Sequence, residues 1–137
     1  MQFETLTGRR KSKSVQPYLI DWDDVSLSKF QRRVKEFLHH YWKNHVVCEE
    51  FPVIGTRMRL DFYNVTRRIA IECDGEQHNQ YNAHFHKGSF SLFQKQMDRD
   101  DKKKQWCDLN DITLVRVYEE DVPNLSAAFF KGLGVQL

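Results

Sequence analysis

The stretch RMRLDFYNVTRRIAIECD, residues 57–74, constrains the fold of this chain more than any other. It holds two runs that alternate apolar and polar residues, with a short polar break between them. A period of two is the mark of a β-strand, whose successive side chains point to opposite faces. In the first run Met58, Leu60 and Phe62 share a face, and Arg57, Arg59, Asp61 and Tyr63 share the other. In the second run Ile69, Ile71 and Cys73 oppose Ala70, Glu72 and Asp74. With NVTR, residues 64–67, turning the chain, the runs form an antiparallel pair in which Asp61 lies nearly opposite Glu72.

The rest of the chain supplies layers for that sheet. Residues 1–16 are polar and basic without periodicity and read as a flexible tail, or as an arm that orders on nucleic acid. Leu27, Phe30, Val34, Phe37, Leu38 and Tyr41 have the spacing of one helical face, and Ser28 with Gln31 can form a capping box at its start. HVVCEEFPV reads as a strand closed by Pro52. Residues 75–90 form a polar loop bearing histidines, followed by a long helix with Phe93, Met97 and Cys107 inward. ITLVRVY is almost continuously apolar, which suits a more central strand. A last short helix, capped at Asn124, turns Leu125, Ala128, Phe129 and Leu133 inward. The order α-β-β-β-α-β-α predicts an α/β (α+β) fold with one mixed sheet flanked by helices. The 137 residues, 40% apolar, suffice for a single domain, with a core segment at 26–121.

No apolar run approaches the roughly 18 residues of a membrane span, and the N-terminus lacks the apolar core of a signal peptide. Cys48, Cys73 and Cys107 are widely spaced without a CxxC and read as reduced thiols, which points to the cytoplasm.

Two facing carboxylates repel unless a positive charge lies between them. Mg²⁺, with Mn²⁺ as a substitute, is one solution: it takes one or two carboxylates and completes its shell with water and phosphate. The same spacing fits Asp61 paired with Arg57, Arg59 or Arg116, and Glu72 with Arg68, as ordinary surface bridges. His78, three residues past Gly75, either turns back over the pair as a general base or stays in solvent. Asp100 shares a helical face with Lys103 and Lys104, which serves a surface ladder or a metal-and-phosphate site equally. His84 and His86 either close a loop or bring an imidazole, His86 foremost, to a scissile phosphate. The basic residues Arg9, Arg10, Lys11, Lys13, Arg57, Arg59, Lys87 and Lys104 are candidates for phosphate contacts with double-stranded DNA. Trp22, Tyr81, Phe85 and Phe90, in loops, are candidates for stacking on bases.

LDFYNVTRRIAIECDGEQH followed by DRDDKKKQWCDLNDITLVRV resembles the compact nuclease domains related to very-short-patch repair endonucleases. The same pattern occurs in phage homing endonucleases of the EDxHD type, a branch of the PD-(D/E)XK superfamily. The resemblance spans Phe30 to Asp121 and implies a Mg²⁺-dependent DNA endonuclease, of the homing or the repair kind, or a DNA-binding module that has lost turnover. It makes Asp61 the principal metal ligand, with Glu72 and the Cys73 carbonyl beside it and Glu50, or its rival Glu49, as an extra acid. It gives His78 the attacking water, and sets Asp100 and Lys103 in an Asp-x-x-Lys helix. Asp74 stands where the superfamily has its ExK lysine, so that role falls to Lys103, Lys104 or His78. Gln31 stands where the repair enzymes carry a glutamate, and their zinc ligands have no counterpart. One such core holds one active site, so a double-strand break implies a homodimer or two nicks.

Overall fold

A computed structural model describes residues 1–26, 28–75 and 90–137 of the chain. From Lys29 onward the elements follow the expected order: α1 (Lys29–Trp42), β3 (Val47–Pro52), β4 (Arg59–Asn64), β5 (Ile69–Asp74), α2 (Phe90–Leu109), β6 (Thr113–Tyr118) and α3 (Ala127–Gly132). They are preceded by two short strands, β1 (Gln2–Glu4) and β2 (Arg10–Ser12). The four long strands form a mixed sheet in the order β3-β4-β5-β6, antiparallel except for the parallel pair β5–β6. A parallel neighbour requires a crossover, and α2 lies in it.

Helices cover both faces. Phe51, Leu60, Tyr63 and Ala70 pack with Trp106 and Cys107 of α2, while Phe62, Ile69, Ile71, Val115 and Val117 pack with Val34, Leu38 and Trp42 of α1 and Phe130 of α3. The face of β4 expected to be polar is therefore buried at Tyr63, because α2 covers it. The alternation also slips. Leu60 and Tyr63, three residues apart, share one core, as do Cys48 and Phe51 on β3. A regular pleat would part them. Glu50 lies between Cys48 and Phe51 with φ of 55°, a left-handed backbone unusual for a residue with a side chain. The slip leaves Glu50 and Asp61 where the pleat changes phase.

Several expectations are corrected. The first sixteen residues are not a loose tail: β1 and β2 form an antiparallel hairpin whose Phe3 is buried against Phe51 and Trp106. A single apolar residue has no period, so its docking left no pattern to read. Asn110 fixes the hairpin by accepting the Glu4 N–H and donating to its carbonyl. Among the described residues β6 is an edge strand, not a central one, and is apolar on two faces because helices lie over both. The last helix is capped by Ser126, not Asn124, since residues 119–124 form a 3-10 turn. That shift buries Phe130 and leaves Ala128 and Leu133 exposed. On α2, Trp106 and Cys107 are buried, whereas Phe93 and Met97 are only half-buried.

At the start of α1 the Ser28 hydroxyl accepts the Gln31 N–H at 3.0 Å, one half of the expected capping box. The Gln31 side chain points elsewhere, into the site described next.

Candidate active site

The β4–β5 ladder runs from the turn as far as Phe62 and Ile71. One step further, at Asp61 and Glu72, side chains replace it. The Asp61 N–H donates to Glu72 Oε2 at 3.3 Å, and the Cys73 N–H donates to Asp61 Oδ2 at 2.7 Å. Each carboxyl is thus tied to the backbone of the opposite strand. Burial, followed by the charge and hydrogen bond of Glu72, raises the Asp61 carboxyl to about 9, and the more distant Glu50 adds to this. The Cys73 N–H opposes the shift without reversing it. At neutral pH Asp61 therefore retains a proton beside Glu72.

Among the described residues, the cation that reaches the pair comes from α2. Lys103 Nζ donates to Glu72 Oε1, the far oxygen from Asp61. The surface bridge from Glu72 to Arg68 does not form: Arg68 instead donates to the Asn110 carbonyl. Arg116 of β6, the register partner of Glu72, bonds Asp74 Oδ2 at 3.0 Å and lies 3.4 Å from Asp100 Oδ1. It also donates to the Asp100 carbonyl at 3.2 Å. Asp100 is therefore held by Arg116 on the α2 side, and the carboxylate pair receives Lys103, three residues along the same helical face.

On the α1 side Gln31 Nε2 donates to Glu50 Oε1 at 3.1 Å and to Glu49 Oε2 at 3.2 Å. Ser26 donates to Glu49 Oε2 at 2.7 Å, and Lys35, 3% exposed, donates to Glu49 Oε1 at 3.0 Å. Glu49 is thus consumed by a buried network, and Glu50 is the acid whose charge reaches Asp61. Lys35 in this network, and Arg116 as a clamp on α2, were not anticipated. A signal for the first existed: Gln31, Lys35, Leu38 and Trp42 keep the three-to-four spacing of the buried stripe of α1. For Arg116 there was none, because its partners are distant in sequence.

The basic candidates are spread over the surface. Arg10 bonds Glu4, and Lys104 bonds Asp108 one turn away. Arg9, Lys11 and Lys13 lie on or beside the N-terminal hairpin, with Lys13 over the Tyr18 ring. Arg59 borders a cavity of about 480 Å³ next to Glu49 and Glu50, and Arg57 and Lys103 border one of about 370 Å³ on the other side of the site. His78, His84, His86, Lys87, Tyr81 and Phe85 lie outside the described residues. The Cys73 thiol is raised far above its usual range by burial, then by Asp61, so any ligand from this residue is its carbonyl. Cys48 and Cys107 are free thiols pushed up by burial to about 11 and 12.

Among the described residues no group of three or more His, Cys, Asp or Glu side chains is set to hold a metal. A hard divalent cation does not need one: Mg²⁺ takes one or two carboxylates and keeps water and substrate oxygens for the rest. Asp61, half-buried, and Glu72, buried, offer such a pair, adjacent and burdened with a proton that a cation would replace.

Curated relatives share part of this chain. It is 32% identical over 79 residues to the uncharacterized protein 307L of Invertebrate iridescent virus 6, covering 56% of this chain and 40% of that protein. It is 38% identical over 66 residues to the uncharacterized protein 094L of Frog virus 3, covering 48% of this chain and 43% of that one. The chain thus spans less than half the length of these relatives. No family model and no solved structure matches it. No helix among the described residues is long and apolar enough to cross a membrane.

Proposed function

We propose that this chain is a metal-dependent DNA endonuclease of the PD-(D/E)XK type. One observation carries the reading: Asp61 and Glu72 meet where two strands part, and Lys103 reaches Glu72 from a helix. Asp74, in the place of the superfamily's lysine, is bound to Arg116, so Lys103 is the lysine that serves the pair.

Asp61 and Glu72, with the Cys73 carbonyl beside them, are the residues that would hold Mg²⁺, which when bound polarises a phosphodiester and acidifies a water. With a cation held there, Asp61 would release its proton to solvent. The Cys73 N–H keeps the Asp61 carboxylate aimed at the gap between the strands. Lys103 offsets the charge of Glu72 and presents N–H donors to the non-bridging phosphate oxygens and the attacking water. Gln31 holds Glu50 toward the same gap.

The test is cleavage of supercoiled plasmid with Mg²⁺, with chelator, and by Asp61→Asn. Metal-dependent nicking lost in the variant supports the enzyme; intact plasmid, mismatched duplex and branched duplex with wild type refute it. Selection of one long site from a random library supports the homing role, and preference for mismatched or branched duplexes supports repair. A second reading, a DNA-binding module without turnover, draws on the Arg116–Asp74 bond that occupies the usual lysine position, and predicts binding with no cleavage.

A further inference from the structure

We propose that the cavity between the entry to β4 and the outer face of α2 seats a phosphate of the DNA backbone, gripped by Arg57 and Arg99 beside Lys103. This deepens the DNA reading and rests on it. The cavity, about 370 Å³, is bordered by Arg57 from the β3–β4 connection and by Arg99, Asp100 and Lys103 from α2, with Asp74 at the end of β5. Arg99 and Lys103 are four residues apart and share a helical face, so the wall carries cations in a row.

Two acids stand on that wall, and both are engaged by Arg116. Lys103 in turn is matched by Glu72. Among the described residues, counting Arg116 and Glu72 behind the wall, four cations meet three acids, and the surplus falls on Arg57 and Arg99. Both arginines are exposed and make no ion pair among the described residues. A planar guanidinium binds two phosphate oxygens at once, so two of them converging on one cavity form a seat rather than a diffuse positive surface. Lys103 connects the seat to the site: it borders the cavity while its Nζ touches Glu72. A strand whose phosphate rests on the arginines is thereby led to the carboxylate pair. The residue this adds is Arg99.

The test is duplex DNA binding by the whole chain in chelator at several salt concentrations. Wild type, Arg57→Gln, Arg99→Gln and, as a control on the opposite face, Lys131→Gln are compared, with thermal melting to confirm folding. Each arginine variant is expected to weaken binding several-fold and lower the slope of log K against log salt by about 0.9, with Lys131→Gln unchanged. Arginine variants that keep the wild-type slope and affinity overturn the seat, as does a wild type that does not bind. Cleavage is read separately. Binding that needs both arginines without any cleavage sinks the nuclease and leaves the seat, while cleavage indifferent to them sinks the seat alone.

Discussion

Lys103 and Glu72, thirty-one residues apart, are joined by a hydrogen bond from Nζ to Oε1 that links α2 to the inner end of β5. The bond places a cation on the oxygen of Glu72 that Asp61 does not use. It also separates two roles that spacing alone left open, since Asp100 is engaged by Arg116.

Lys103→Met is expected to slow plasmid nicking by about 10²-fold or more, as loss of a positioned hydrogen-bond donor does. Arg116→Ala, which removes the ion pairs to Asp100 and Asp74, is expected to give a smaller loss of rate. Initial rates at saturating Mg²⁺ check both. Equal rates for Lys103→Met and wild type would remove the lysine from the site.

Stability should fall as pH rises. The folded chain holds a proton on Asp61 up to about 9, whereas the unfolded chain sheds it near 3.8. Between those values the folded state binds more protons, so stability declines through the window and is unpenalised below it. Asp61→Asn removes the effect and should melt higher than wild type at about pH 8, by roughly 3–6 °C for each kcal/mol of penalty relieved. Near pH 4 the two should coincide. Melting curves across pH decide; a variant less stable at high pH contradicts the placement of that proton.

Metal should reverse this penalty. A divalent cation at Asp61 and Glu72 displaces the proton, so its stabilisation grows with pH. Saturating Mg²⁺ at a hundredfold excess over its Kd adds about 2.7 kcal/mol. The melting shift should be larger at about pH 8.5 than at about pH 6, and absent in Asp61→Asn. An equal shift at both pH values would place the ion elsewhere.

Lys35 and Glu49 form a pair that is 3% and 17% exposed in its side chains. Removing one partner strands the other, so Lys35→Met should cost about 3–5 kcal/mol. Lys35→Met combined with Glu49→Gln should cost less than the sum of the single changes. Denaturant titration of the four proteins measures the coupling.

Phe3→Ala should cost about 3–5 kcal/mol, the usual loss for a buried phenylalanine. A flexible tail would show none. Urea unfolding separates the two.

The sequence by itself determined the neighbourhood of Asp61 and Glu72. Two period-two runs joined by a tight turn admit only a short-range antiparallel pairing, and short-range pairing depends on local chain geometry. It determined the α1 cap at Ser28 for the same reason. What only the tertiary structure decided depends on contacts between segments that no local period records. The reach of Lys103 to Glu72 follows from how α2 lies over the sheet, held there by Arg116. The choice of Glu50 over Glu49 follows from a left-handed residue and from Lys35 and Gln31 on another element. The docking of Phe3 rests on Phe51 and Trp106, far along the chain, and β6 reads as central because helices cover both its faces, yet among the described residues it lies at the edge. Periodicity reports which residues share a face, but which distant face they meet is settled only when the layers pack.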